Sequence, residues 1–333
     1  MKRMKILMLE KNNKGKIGAP LTQWEFEQTV GKYATCAYAG EGYPDYKPNE
    51  SMDEIVRRVM PNADWVIDKD DNFHAEKPED RSYKVGVFIS DLHAKHSYGL
   101  GDPVKWANLL KESNYDAYFM RYPYVYGTTH RSEIVLEALG DKAHWVPWSV
   151  NIDNFYPRDE KKYDVAFLGS TYDCYPLRKV IREGLFFAAR GYKVLMRNAP
   201  PGPLSQAPYK DLRDRYVVGK DYAETLGSTR IMLFDCSYYL YAILKFFEAS
   251  ASGCLIMCNE PSMGKKLGFI PGETMINIDE KNWEEALQYY LKNKEEAQVI
   301  ADKCMDACRA MHNHDIRAKS WILKLKELSK KND

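Results

Sequence analysis

The sequence predicts an α/β protein of two domains, each a parallel sheet with helices on both faces. Three observations lead there. Short apolar runs of strand length alternate with helix-length segments along most of the chain. The stretch WVPWSVNIDNFYP, Trp145 to Pro157, interrupts that rhythm with two prolines, Asn and Asp. The 333 residues suffice for two domains of ordinary size. The domains are therefore expected at 1–147 and 163–333, with a linker over 148–162 and with the last helix able to pack back on the first domain.

Lys5 to Leu9 reads as the first strand. A loop with Gly15, Gly18 and Pro20 follows, then a helix over 21–30 and a strand over 33–38. Ser51 opens the next helix through a capping box, Ser51-x-x-Glu54. Short apolar strands follow at 64–67, 84–89, 117–120 and 143–146, with helices at 103–112 and 130–139. The second domain restarts with a strand over 163–168. Helix 175–189, strand 192–197, helix 205–214, strand 216–218, helix 220–227 and strand 230–234 come next. A helix–strand unit over 245–258, a strand near 273–278 and helices across 281–330 complete the pattern. The Lys/Glu-rich LKLKELSKK near the end reads as a solvated helix face.

Hydrophobic residues make up 45% and charged residues 29%, which places the chain in the globular class. Residues 1–150 carry 20 Lys and Arg against 22 Asp and Glu, and the remainder 28 against 25. Neither half has the bulk charge of a duplex-binding domain. Seven cysteines include no zinc-type CxxC pair, and an odd count argues against a complete disulfide framework. They read as buried small hydrophobes in a reducing compartment. No run approaches the ~20 apolar residues of a membrane span. The apolar run of MKRMKILMLE fits a first strand instead of a secretory leader, so a cytoplasmic protein is expected.

The most informative segment is KFFEASASGCLIMC, 245–258. Ile243, Phe246, Phe247 and Ala251 follow helical spacing. Small residues Ala249 to Ser252 permit close packing, and Gly253 suits a left-handed helix end. Cys254 to Cys258 read as a buried parallel strand. Lys245 and Glu248, three apart, share one helix face. Charges at the inner end of such a helix call for a ligand or partner.

This segment resembles the donor site of group-1, family-4-like glycosyltransferases of the two-domain GT-B fold. The resemblance implies two Rossmann-like domains facing a cleft. The second domain would bind a nucleoside-diphosphate sugar, UDP-sugar favoured, as substrate and not as a permanent cofactor. It gives Glu248 the donor ribose and Lys245 the diphosphate. Many members carry a second glutamate eight positions earlier, where this chain has Leu240; that variant is similar to the spore-maturation-type and phage-encoded branch. The segment Trp145 to Pro157 also resembles the interdomain stretch of that family.

Other candidates follow from position. Gly169, Ser170 and Thr171 end the first strand of the second domain and lead to a helix carrying Arg178, a suitable place for phosphate. Gly219 and Lys220 occupy the loop that passes beside the nucleobase in the resembled family. Tyr238, Tyr239 and Leu240 precede the Lys245 helix and offer backbone contacts. Asp91 and His93 follow the strand at 84–89, where the crevice of an open α/β sheet lies, and could orient or deprotonate an acceptor hydroxyl. His96, the Lys14 to Pro20 loop and Arg121-Tyr-Pro-Tyr124 are weaker candidates. His312 and His314 do not share a helix face, so Asn313 or Asp315 is read as a helix cap and no metal is assigned. There is no GxGxxG or Walker pattern.

The expected activity is sugar transfer to an acceptor hydroxyl, with retention of configuration and without a metal. Lys245, Arg178 and helix amides would stabilise the departing diphosphate. A glycan, a small molecule, a protein or a hydroxymethylated DNA base all stand open as acceptor, DNA being disfavoured by the near-neutral charge. Two other classes fit the same residues: a non-catalytic nucleotide-sugar-binding protein, and a sugar-nucleotide epimerase of the same fold.

Overall fold

The computed structural model describes residues 3–69, 81–89, 103–113, 115–122, 130–200 and 208–330. By contacts the chain divides into two units. One comprises residues 1–13, 26–147 and 317–333, the other 14–25 and 148–316.

The first unit is built on strands β1 (Lys5–Leu9), β2 (Thr35–Ala39), β3 (Trp65–Lys69), β4 (Lys84–Ile89), β5 (Ala117–Met120) and β6 (Ala143–Trp145). All pair in parallel in the order β2-β1-β3-β4-β5-β6. Helices α1 (Gly18–Val30), α2 (Met52–Val59), α3 (Pro103–Ser113) and α4 (His130–Leu139) alternate with them. The predicted capping box is present: Glu54 N–H donates to Ser51 Oγ, and Ser51 N–H donates back to Glu54 Oε2. β1, β3, β4 and β5 are buried almost throughout, as strands covered on both faces must be.

Strands β7 (Tyr163–Leu168), β8 (Val194–Arg197), β9 (Thr229–Leu233), β10 (Leu255–Cys258) and β11 (Ile276–Asn277) form the second sheet, ordered β11-β10-β9-β7-β8. Between them run α5 (Pro176–Ala188), α6 (Tyr209–Leu212), α7 (Gly219–Gly227) and α8 (Leu244–Ala251). α9 (Trp283–Lys292), α10 (Lys294–Met311) and α11 (His314–Lys330) follow. From β7 the chain moves outward to β8, and from β9 it moves the other way to β10. The carboxyl ends of β7 and β9 are thus the switch point, where open α/β sheets leave a crevice.

The last helix is more than a solvated face. Ala318, Trp321, Ile322 and Leu325 recur at helical spacing and are buried with Phe26, Phe88 and Phe119. The expected strand at 216–218 is absent. Val218 is extended but pairs with no strand among the described residues; it stands at the N-cap position of α7 and packs with Ile17 and Leu212. Strand-prone residues form a strand only where a neighbouring edge accepts their hydrogen bonds. Likewise, the described part of the expected helix at 205–214 narrows to α6.

Asn313 caps α11, with Ile316 N–H donating to its Oδ1 at 2.8 Å. His312 Nε2 lies 2.9 Å from the Leu267 carbonyl, and His314 Nδ1 lies 2.8 Å from Ser149 Oγ. Among the described residues no helix is long and apolar enough to cross a membrane.

Gly253 follows α8 at φ +70°, and a Cβ there would stand 3.2 Å from Pro157 Cβ. Gly253→Ala is expected to cost about 1–2 kcal/mol, read as a lowered urea midpoint.

Candidate active site

The switch-point crevice is organised by one helix start. α5 begins at Pro176, and its N-cap, Tyr175, supplies no side-chain cap. Asp235, two residues beyond β9, takes over. Leu177 N–H donates to Asp235 Oδ2 at 2.9 Å, and Ser237 N–H donates to Oδ1 at 2.5 Å. Arg178, the next residue of α5, donates from Nη1 to the Ser170 carbonyl at 3.1 Å and from Nη2 to the Asp235 carbonyl at 2.8 Å. Its guanidinium lies 3.5 Å from the centroid of the Tyr175 ring. Arg178 is only 3% exposed and makes no ion pair among the described residues.

Lys245 enters from α8. A Cβ on Gly169 would lie 3.1 Å from Arg178 Nη1 and 3.5 Å from Lys245 Cε. Two cationic side chains therefore meet over the one turn where a glycine leaves the backbone bare. Glu248, one turn further along α8, is 5% exposed. Tyr222 of α7 donates its hydroxyl to Glu248 Oε2 at 3.1 Å, and its ring centroid lies 5.4 Å from Lys245 Nζ. The small residues of α8 let it pack on α10. Ser250 turns its hydroxyl back to the Phe246 carbonyl, whereas the buried Ser252 hydroxyl at the helix end has no hydrogen-bond partner among the described residues.

Burial dominates the electrostatics. It pushes the Glu248 carboxyl up to about 7, partly offset by Lys245 and by the Tyr222 hydrogen bond. It pulls the Lys245 ammonium down to about 8, helped by the positive charge of Arg178. Two cations, Arg178 and Lys245, share the site with two buried carboxylates, Glu248 and Asp235; burial raises the Asp235 carboxyl, and the charge of Arg178 opposes that rise. Buried charges are costly unless well paired, and an anionic ligand at the Gly169 turn would give both cations a further partner.

Gly219 and Lys220 form a second group at the start of α7. A Cβ on Gly219 would meet Tyr209 Cδ2 at 2.7 Å, and Lys220 Nζ stands 5.9 Å from the Tyr209 ring centroid. Tyr209 donates its hydroxyl to Asp221 Oδ2 at 2.8 Å. Tyr222, on the same helix, joins this group to Glu248.

Tyr238, Tyr239 and Leu240 are placed differently from expectation. Their amides already donate to Cys174 O, Ser237 Oγ and Ser237 O, at 3.0, 3.2 and 3.1 Å. As backbone donors they are engaged within the protein. Leu240 adopts φ +54°, a left-handed conformation unusual for a branched side chain. Tyr238 and Leu240 line a cavity of about 330 Å³ with Asp235, Asn259 and Asp279. Thr171 Oγ1 lies 3.5 Å from Arg182 Nη1. Asp91, His93, His96, Pro123 and Tyr124 lie outside the described residues. Arg121 is buried, donating to the Val146 carbonyl at 3.1 Å with its guanidinium 4.4 Å from the Phe88 ring centroid, so its charge serves the sheet's own packing.

Tyr222 and Asp235 were not singled out in the sequence. An aspartate just past an apolar strand, LFDC, was the available signal for Asp235. Tyr222 had none, because its partner is 26 residues away.

Residues 183–322 match the model of a family described as glycosyl transferase-like, Glyco_trans_1_2. Solved structures resemble the chain over nearly its whole length. The HepE protein of Anabaena, in complex with UDP and glucose, is 10% identical with a TM-score of 0.67, covering 97% of this chain and 100% of its own. Sucrose-phosphate synthase from Thermosynechococcus elongatus is 12% identical with a TM-score of 0.64, covering 98% and 99%. AviGT4, a glycosyltransferase involved in avilamycin A biosynthesis, is 12% identical with a TM-score of 0.62, covering 98% of each chain. The chain has the GT-B fold, and its second half is similar to a glycosyl transferase-like family. The expected α/β architecture is thus present, and the region matched by the family model contains Tyr222, Lys245 and Glu248. No curated protein matches the sequence.

Proposed function

We propose that this protein is a glycosyltransferase that moves a sugar from a UDP-sugar to an acceptor hydroxyl. The observation that carries the reading is the meeting of Arg178 and Lys245 over Gly169, with Glu248 one helical turn away. The bare turn Gly169 to Thr171 and the two cations suit a diphosphate, and a buried carboxylate suits the ribose hydroxyls. Gly219 and Lys220 are assigned to the nucleobase side. The UDP held by HepE supports uracil as the base.

In the reaction, Lys245 and Arg178 take up the negative charge that grows on the departing diphosphate. They are fixed before the reaction begins, so little reorganisation is required. Their charge fills the place a metal ion takes at other diphosphate sites, and the proposed reaction needs none. We assign retention of configuration from the family resemblance, and the spore-maturation-type and phage-encoded branch from the single-glutamate pattern, with Leu240 in place of the earlier glutamate. The acceptor is assigned to the first domain, with Asp91 or His93 at its hydroxyl. A glycan, a small molecule or a protein fits the neutral charge balance better than DNA.

Leu240 also favours a second reading, a non-catalytic nucleotide-sugar binder, because its side chain cannot hydrogen-bond a sugar. Thermal-shift measurements with UDP-, GDP-, ADP- and TDP-sugars separate the possibilities. One sugar nucleotide, UDP-linked, is expected to raise the midpoint, with about 2.7 kcal/mol of stabilisation at a hundredfold excess over Kd. Glu248→Ala is expected to abolish that shift. No shift with any of the four would sink the donor site. A shift without release of UDP in the presence of any acceptor class would leave the binder.

A further inference from the structure

We propose that Tyr222 is a positioning residue that keeps Glu248 competent to accept the two ribose hydroxyls, making the site selective for ribonucleotides over their deoxy counterparts. The inference rests on the donor-site reading given above and extends it to a residue on a different helix.

Three observations carry it. The Tyr222 hydroxyl donates to Glu248 Oε2 at 3.1 Å, while no hydrogen bond reaches Oε1 among the described residues. One carboxylate oxygen is thus held and the other left for a ligand. The Tyr222 ring is itself fixed, edge-on to Phe155 at 6.2 Å between centroids, with Lys245 Nζ 5.4 Å from its own centroid. And Tyr222 lies on α7, whose first residues, Gly219 and Lys220, form the group assigned to the nucleobase. One short helix therefore sets both the base side and the ribose side of the site.

The chemistry follows from what a carboxyl can accept. An ionised carboxylate accepts two hydroxyl protons; a protonated one spends an oxygen as a donor. Burial drives Glu248 towards the protonated form, and the Tyr222 hydroxyl opposes that drive. The other groups acting on this pair are Lys245 on α8, Arg178 on α5, Glu25 on α1 and the Cys254 thiol beside Tyr222. Lys245 favours the ionised form of Glu248 and Glu25 opposes it. Removing the tyrosine hydroxyl alone leaves all of these in place, so the proton uptake of Glu248 should move to higher pH.

The test is calorimetric titration of the full chain with UDP and with 2′,3′-dideoxy-UDP between pH 6 and 9, for wild type, Tyr222→Phe, Glu248→Gln and the double variant. Phenylalanine keeps the ring and its packing. Tyr222→Phe is expected to bind UDP roughly tenfold more weakly at pH 6.5, with the gap narrowing as pH rises. Dideoxy-UDP should bind wild type and Tyr222→Phe alike, and Tyr222→Phe should add nothing in the Glu248→Gln background. Equal weakening towards both nucleotides, an unchanged UDP affinity at every pH, or an additive double variant would each overturn the inference while the donor site stands. A wild-type chain that fails to bind UDP would overturn the donor reading and this inference together.

Discussion

Lys245→Ala is expected to lower kcat by about 10²–10³, the loss typical of removing one preorganised group at a developing negative charge. Lys245 reaches the Gly169 turn beside Arg178, so the two cations share one small region. Their closeness has a cost that shapes the pH profile. Burial and Arg178 hold Lys245 down to about 8, and burial holds Glu248 up to about 7. The proposed reaction needs Glu248 ionised and Lys245 protonated. The kcat/KM profile should therefore be a narrow bell, falling on the acid side through the Glu248 titration and on the alkaline side through that of Lys245. The two groups interact, so the limbs report the pair and not either residue alone. Lys245→Arg keeps a charge that does not titrate in this range, and should extend the alkaline limb upward while retaining measurable activity. A Lys245→Ala enzyme with unchanged kcat would remove Lys245 from the chemistry.

Lys69→Met is expected to destabilise the first unit by about 3–5 kcal/mol near neutral pH, the cost of leaving a buried charge unpaired. Lys69 ends β3 and is 7% exposed. Its Nζ stands 2.7 Å from Glu10 Oε2 and 2.9 Å from Glu27 Oε2, both glutamates being fully buried. Tyr43 donates its hydroxyl to Glu10 Oε1 at 2.8 Å. One ammonium cannot neutralise two carboxylates. Burial, and then the charge of Glu27, raise Glu10 to about 9, against the attraction of Lys69. A carboxyl whose pKa is raised on folding binds its proton more tightly in the native state. Stability from this cluster is thus greatest below the unfolded pKa near 4.5 and is lost as pH rises towards 9. Glu10→Gln removes that titration, so its thermal midpoint should vary less between pH 6 and 9 than that of wild type. A midpoint unaffected by Lys69→Met would show that the triad contributes nothing net.

The contrast between these two clusters explains what could be read from the chain. Lys245 and Glu248 stand three apart on one helix, so spacing alone places them together. Gly253 and the apolar strand after it mark the helix end just as locally. Glu10, Glu27 and Lys69 come from the end of β1, from α1 and from the end of β3. Nothing in the sequence around any of them signals the other two. Asp235 and Leu177 are 58 residues apart, and their bond exists only because β7 and β9 are neighbours in the sheet. The failed strand at 216–218 has the same origin, since Val217 and Val218 have strand propensity but no partner edge.

The sequence by itself determined the alternation of strand and helix, the parallel sheets that alternation requires, the capping box at Ser51 and the Lys245–Glu248–Gly253 unit. Each depends on neighbours within about two helical turns, where periodicity and backbone preference are decisive. Only the tertiary structure decided the strand order, the convergence of Arg178 and Lys245 on Gly169, the bond from Tyr222 to Glu248 and the buried triad of Glu10, Glu27 and Lys69. Those depend on which distant segments the sheets bring side by side. Burial then sets the protonation of the groups that meet, and burial belongs to the packed whole and not to any stretch of sequence.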